Sequence, residues 1–139
     1  PADLRGRPVL VVDDNATNRR ILDAMLTNWG MRPTLVDCGT AALRAMERAR
    51  DDDRPFAIVL LDYQMPDMDG FEATRRIRAS AGGSHAYIIA MTANAMTGDR
   101  ERCLEAGMDD YLAKPVSIAG LEQAIARYLA RPVEAMARE

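Results

Sequence analysis

Two hydrophobic rhythms alternate along this chain. Short unbroken apolar runs are followed by stretches in which apolar residues recur every three or four positions. The first rhythm marks strands buried on both faces, and the second marks amphipathic helices. Val9-Leu10-Val11-Val12 is the first strand, ending at Asp13-Asp14. Ile21, Leu22, Met25, Leu26 and Trp29 then keep helical spacing up to a stop at Gly30. Thr34-Leu35-Val36 is a weaker strand. Ala41, Ala42, Ala45, Met46 and Ala49 give a second helix that dissolves into Asp51-Asp52-Asp53. Phe56 to Leu61 is the strongest strand signal and ends at Asp62. A loop with Pro66 and Gly70 leads to a helix marked by Phe71, Thr74 and Ile77. Gly82-Gly83-Ser84 is a break. Tyr87 to Met91 is a fourth strand ending at Thr92, followed by a helix over roughly 97–106 that stops at Gly107. A short strand through Asp110-Tyr111-Leu112 precedes a last helix carrying Leu121, Ile125, Tyr128 and Leu129.

Five strand-then-helix units with unalternating strands predict an α/β fold, a parallel sheet covered on both faces. Right-handed crossovers make an open, doubly wound sheet the expected arrangement. Its ligands belong at the carboxyl ends of the strands.

That pattern sorts the polar residues. Asp13 and Asp14 end the first strand, Asp62 the third and Thr92 the fourth, and Lys114 follows the fifth. In a parallel sheet all five fall on one edge. Acidic residues at strand ends often only cap helices or shape turns, and Asp14 or Asn15 could do so here. Five polar residues from four strand ends meeting at one edge is more than capping explains. Clustered carboxylates repel unless a cation sits among them. Oxygen donors without His or Cys point to Mg²⁺. An ammonium and a hydroxyl opposite the metal suit the oxygens of a transferring phosphoryl group. Asp62 is the expected nucleophile, because aspartate can form an acyl phosphate.

Composition narrows the reading. The 139 residues are 48% hydrophobic and 28% charged, which fits one ordinary globular domain. Lys114 is the one lysine beside 17 arginines. A compact ammonium enters a narrow phosphoryl site that a planar guanidinium would not. The net charge of −3 argues against a general nucleic-acid binder. No apolar run is long enough to cross a bilayer, so no membrane contact is expected. Cys38 and Cys103 lack a metal or disulfide pattern and read as reduced thiols of a cytoplasmic protein. Residues 1–7 and 131–139 read as linker ends around a domain spanning 8–130, as in an excised piece of a longer protein.

The segments Val11-Val12-Asp13-Asp14-Asn15, Leu60-Leu61-Asp62-Tyr63-Gln64-Met65-Pro66-Asp67-Met68-Asp69-Gly70, Met91-Thr92-Ala93 and Tyr111-Leu112-Ala113-Lys114-Pro115 resemble a two-component receiver domain. The resemblance covers most of 8–130. It implies a flavodoxin-like, CheY-like five-stranded sheet in order 2-1-3-4-5, phosphorylated on Asp62 by a phosphohistidine partner. By the same resemblance Asp14, Asp62 and the backbone carbonyl of Gln64 bind Mg²⁺ directly, and Asp13 acts through water. Lys114 and Thr92 contact the phosphoryl oxygens, and small Ala93 leaves room for the donor. A cis Lys114-Pro115 bond is expected. Thr92 and Tyr111 form the switch, reshaping the surface of the fourth and fifth helices with the fifth strand. Gln64 and Asn94 tune the phosphoryl lifetime. Asp13-Asp14-Asn15, Asn18, Trp29-Gly30-Met31, Gln64-Met65-Pro66 and Ala106 to Tyr111 together look like receivers of hybrid sensor histidine kinases. The implied partner is then a histidine kinase core or a histidine phosphotransfer protein; a stand-alone response regulator is the alternative. His85 lacks a kinase motif around it, and no ATP-binding glycine motif is present. A haloacid-dehalogenase-like phosphohydrolase shares the Asp, Thr, Lys and Mg²⁺ inventory, but it places its nucleophile after the first strand. A flavodoxin-like electron carrier shares the fold, but the loop after Val12 lacks a phosphate cradle.

Overall fold

The computed structural model describes residues 4–80, 86–92, 101–102 and 104–130. Five strands form one parallel sheet in the order β2-β1-β3-β4-β5. The strands are β1 (Pro8–Val12), β2 (Arg32–Val36), β3 (Ile58–Asp62), β4 (Tyr87–Thr92) and β5 (Asp110–Ala113). The helices are α1 (Ala16–Asn28), α2 (Gly39–Asp51) and α3 (Gly70–Ala79), then residues 101–102 and 104–105 as the described part of α4, and α5 (Ile118–Leu129).

Strand alternation explains the two cores. Val9, Val11, Ile58, Leu60, Ile89 and Met91 face Leu22 and Leu26 of α1 and Leu121, Ile125 and Tyr128 of α5. Leu10, Val12, Val59, Leu61, Ile88 and Ala90 face Ala42 and Met46 of α2 and Ala73 and Ile77 of α3. The central strands are therefore apolar up to their last residues, since both faces are covered. Each fully buried Leu or Ile contributes roughly 1.5–3 kcal/mol of transfer free energy.

Several boundaries differ from the sequence reading. Helix α1 starts at Ala16, well before Ile21, because Asn15 caps it by accepting from the Asn18 backbone N–H at 3.0 Å. Strand β2 includes Pro33, which an edge strand tolerates. Strand β3 starts at Ile58, with Phe56 buried just before it. Residues 4–7 are not a free linker. Leu4 is 2% exposed within the core, and the Gly6 N–H donates to the Gly30 carbonyl at 2.7 Å. The expected tail 131–139 and the start of the helix at 97–100 lie outside the described residues.

Candidate functional site: an acidic rim at the carboxyl ends of the strands

Asp13 follows β1, Asp62 is the last residue of β3, Thr92 is the last of β4, and Lys114 follows β5. Parallel register brings these ends level, pairing Val12 with Leu61, Asp62 with Met91, and Thr92 with Ala113. Asp13 is fully buried. Its Oδ1 accepts from the Asn15 N–H at 2.9 Å, and its Oδ2 accepts from Asn18 Nδ2 at 3.4 Å. The Asp13 carbonyl accepts from Arg19 at 2.7 Å. Asp62 is 3% exposed, and its Oδ1 accepts from the Gln64 N–H at 3.2 Å.

Lys114 joins the two aspartates. Its Nζ lies 3.0 Å from Asp62 Oδ1 and 3.3 Å from Asp13 Oδ2. The Lys114 N–H donates to the Thr92 carbonyl at 2.8 Å, which fixes the loop that carries the ammonium. The Lys114-Pro115 bond is cis. Asp14 is exposed, yet its carboxylate oxygen falls within 4.8 Å of ligand atoms on Asp13 and Asp62. The pattern matches a hard divalent cation: three carboxylates and, among the described residues, no imidazole or thiolate in the cluster.

Burial pushes the Asp62 carboxyl above its ordinary 3.8, and the charge of Asp13 adds to that push. The hydrogen bonds and charge of Lys114 and the Gln64 N–H oppose it without reversing it. Burial also works against the charge on Lys114, but its hydrogen bonds and attraction to Asp62 and Asp13 outweigh burial and raise its pKa. Lys114 thus stays an ammonium, and with the Arg19 guanidinium it faces three carboxylates, one acid more than the two cations balance.

Thr92 is 2% exposed on the same rim. Tyr111 is half-buried against the α2–α3 core. Gln64 is exposed in the β3–α3 loop. Asn94, Ala93, His85 and Cys103 lie outside the described residues. Cys38 is a free, half-buried thiol at the start of α2. Sequence reasoning did not foresee that Asn18 and Arg19 hold Asp13. Their positions five and six residues beyond it become informative only once α1 is known to start at Ala16.

The comparisons agree with this geometry. Residues 9–126 match the response regulator receiver domain, and the chain belongs to that family. It is thus a receiver domain of two-component phosphorelay signalling. It is similar to Histidine kinase 2 of Arabidopsis thaliana, 39% identical over 90% of this chain and 12% of the relative. It is also similar to the signal transduction histidine-protein kinase BarA of Escherichia coli (strain K12), 41% identical over 86% of this chain and 12% of the relative. The chain spans about an eighth of the length of these curated relatives. Among solved structures, the receiver domain of sensor histidine kinase PA1611 from Pseudomonas aeruginosa PAO1 superposes with a TM-score of 0.78 at 45% identity. That match covers 91% of this chain and 99% of the other, which carries a magnesium ion in its active site cleft. The receiver domain of Ssk1 from Saccharomyces cerevisiae, crystallised with the histidine phosphotransfer protein Ypd1, gives a TM-score of 0.75 at 26% identity over 90% of each chain.

Proposed function

We propose that Asp62 accepts a phosphoryl group from a phosphohistidine donor, with Mg²⁺ held by Asp14, Asp62 and the Gln64 carbonyl and Asp13 acting through water. The observation that carries this reading is Lys114 Nζ spanning Asp62 and Asp13 beside three convergent carboxylates. In the transfer a carboxylate oxygen of Asp62 forms the O–P bond as the histidine N–P bond breaks, and the imidazole leaves with the N–P electron pair. Mg²⁺, when bound, supplies charge compensation for the phosphoryl oxygens. Lys114 and Thr92 receive the remaining oxygens of the incoming group. Thr92 and Tyr111 then shift together as the switch, and the surface of α4, β5 and α5 changes with them. Gln64 and Asn94 set how fast water removes the phosphoryl group.

The partner is a histidine kinase core or a histidine phosphotransfer protein, and the parent chain is a hybrid sensor histidine kinase. The similarity to sensor kinases supports the second part. The site's surroundings support the first. Ile21 is 44% exposed and, with Asn18, Pro115 and Val116, lines a cavity of about 40 Å³ that reaches Asp13 and Lys114. An apolar partner surface seated there would stand beside the acceptor. The domain functions in the cytoplasm on this reading.

Incubation with a phosphohistidine-loaded phosphotransfer protein and Mg²⁺ tests the proposal. Intact-mass spectrometry should show one added phosphoryl group on the wild type and none on Asp62→Asn. Full incorporation by the variant would move the acceptor elsewhere.

A further inference from the structure

The rim depends on a loop whose backbone makes few hydrogen bonds beyond itself, although Met65 and Met68 pack against the α2–α3 core. Between β3 and α3 the chain runs from Tyr63 to Asp69 without regular structure. Its two ends are fixed. The Tyr63 N–H donates to the Met91 carbonyl at 2.9 Å, and the Gly70 N–H donates to the Tyr63 carbonyl at 2.8 Å. Asp69 caps α3 by accepting from the Glu72 N–H at 2.8 Å. Among the described residues, no backbone N–H from Met65 to Asp69 reaches outside the loop. Yet the middle of this loop follows directly on Gln64, whose carbonyl is the proposed metal ligand.

One polar side chain spans the gap. Asp67 Oδ1 accepts from the Gly39 N–H at 3.0 Å. Asp67 Oδ2 accepts from the Thr40 N–H at 2.9 Å and from Thr40 Oγ1 at 2.8 Å. These are the first two residues of α2, where free N–H groups and the helix dipole both favour an anion. The helix's own cap residue, Cys38, makes no side-chain cap bond. Helix α2 therefore borrows its cap from the loop after Asp62. Met68 adds an apolar contact beside the polar one. A Cβ on Gly39 would lie 2.5 Å from Met68 Cγ, so the loop rests directly on the α2 backbone. The Thr40 and Gly39 bonds hold the Asp67 carboxyl down at about 2, so the tie stays charged at neutral pH.

We propose that Asp67 is a positioning residue for the metal-binding loop, clamping it to the N-terminus of α2 and so holding the Gln64 carbonyl in place for the ion. This rests on the reading of Gln64 as a ligand given above. Groups that orient metal ligands from behind typically change affinity by about 10–100-fold when removed. Asp67 acts through a backbone three residues away and is exposed, so the low end of that range is expected.

A plain capping role for α2 would give many of the same bonds, and the test separates the two. Mn²⁺ binding to the purified chain would be followed by electron paramagnetic resonance of the free ion. Amide exchange at Gly39 and Thr40 would be read in parallel. Asp67→Ala should weaken Mn²⁺ binding about tenfold and speed exchange at both amides. Asp67→Asn keeps acceptor oxygens and should recover part of each. Adding Cys38→Ser to Asp67→Ala gives α2 a cap of its own. It should restore amide protection in the first turn and leave Mn²⁺ binding weak. Wild-type Mn²⁺ affinity in Asp67→Ala would overturn the proposal. Recovery of Mn²⁺ affinity together with the helix cap in the double variant would overturn it equally, leaving Asp67 a cap and nothing more. Failure of the wild type itself to bind Mn²⁺ would overturn the metal reading beneath it, and no Asp67 variant is needed to see that.

Discussion

Asp62 is held in a costly state. Burial raises its pKa above 3.8, so the folded protein binds that proton more tightly than the unfolded chain does. By linkage its contribution is most favourable below 3.8 and is lost as pH rises through the folded pKa. Near neutral pH the ionised Asp62 therefore costs stability. Asp62→Asn removes that charge, and Lys114 keeps a partner in Asp13 at 3.3 Å. In chelator near neutral pH the variant should unfold at higher urea than the wild type, and the gap should close in acid below 3.8. A variant less stable at neutral pH would mean that the Lys114 pair outweighs the cost of burial. Lys114 makes the complementary case. Lys114→Arg keeps the positive charge, so the pair and the fold should persist. The wider guanidinium cannot take the ammonium's place against a single phosphoryl oxygen. Phosphorylation of the variant should leave the chemical shifts of Tyr111 and its β5 neighbours nearly unmoved. A wild-type response there would refute the need for a compact ammonium.

The elements meet the site through close backbone contacts. Gly70 starts α3 against the end of β3, where a Cβ would lie 3.1 Å from both the Asp62 carbonyl oxygen and Tyr63 Cα. Both neighbours are backbone and cannot swing aside. Gly70→Ala should cost roughly 1–3 kcal/mol by overpacking, visible as a lower urea midpoint, and should slow phosphorylation by displacing the residue after Asp62. An unchanged midpoint would show that α3 can slide without cost. This scale also sets what the sequence makes legible. Strands β1, β3 and β4 announce themselves because both faces are buried, which leaves no polar interruption. The site is legible for a related reason: its members stand where those apolar runs stop. The first turn of α1 was hidden, since Ala16 to Arg20 carry no apolar period and mostly face solvent. The start of α2 was hidden more deeply. Its cap comes from Asp67, 28 residues away from Gly39, and no local pattern encodes a partner at that distance.

At the scale of the molecule, two apolar layers grip the sheet and one rim carries the polar chemistry. The start and the end of the described fold are tied together away from that rim. The Arg7 guanidinium donates to Tyr128 Oη and stands 5.4 Å over the same ring. Among the described residues no helix is long and apolar enough to cross a membrane. Phosphoryl acceptance at this rim requires side chains from separate strands to enclose one divalent ion next to Asp62. The most direct measurement is an anomalous-scattering map from a crystal soaked in Mn²⁺, an ion that takes the same oxygen donors as Mg²⁺. The expected result is a single strong peak bonded at ~2.1 Å, as for Mg²⁺, to carboxylate oxygens of Asp14 and Asp62 and to the Gln64 carbonyl, with Lys114 on the other side of Asp62. A rim without a peak at saturating Mn²⁺, or a peak held by acidic residues elsewhere, would contradict it.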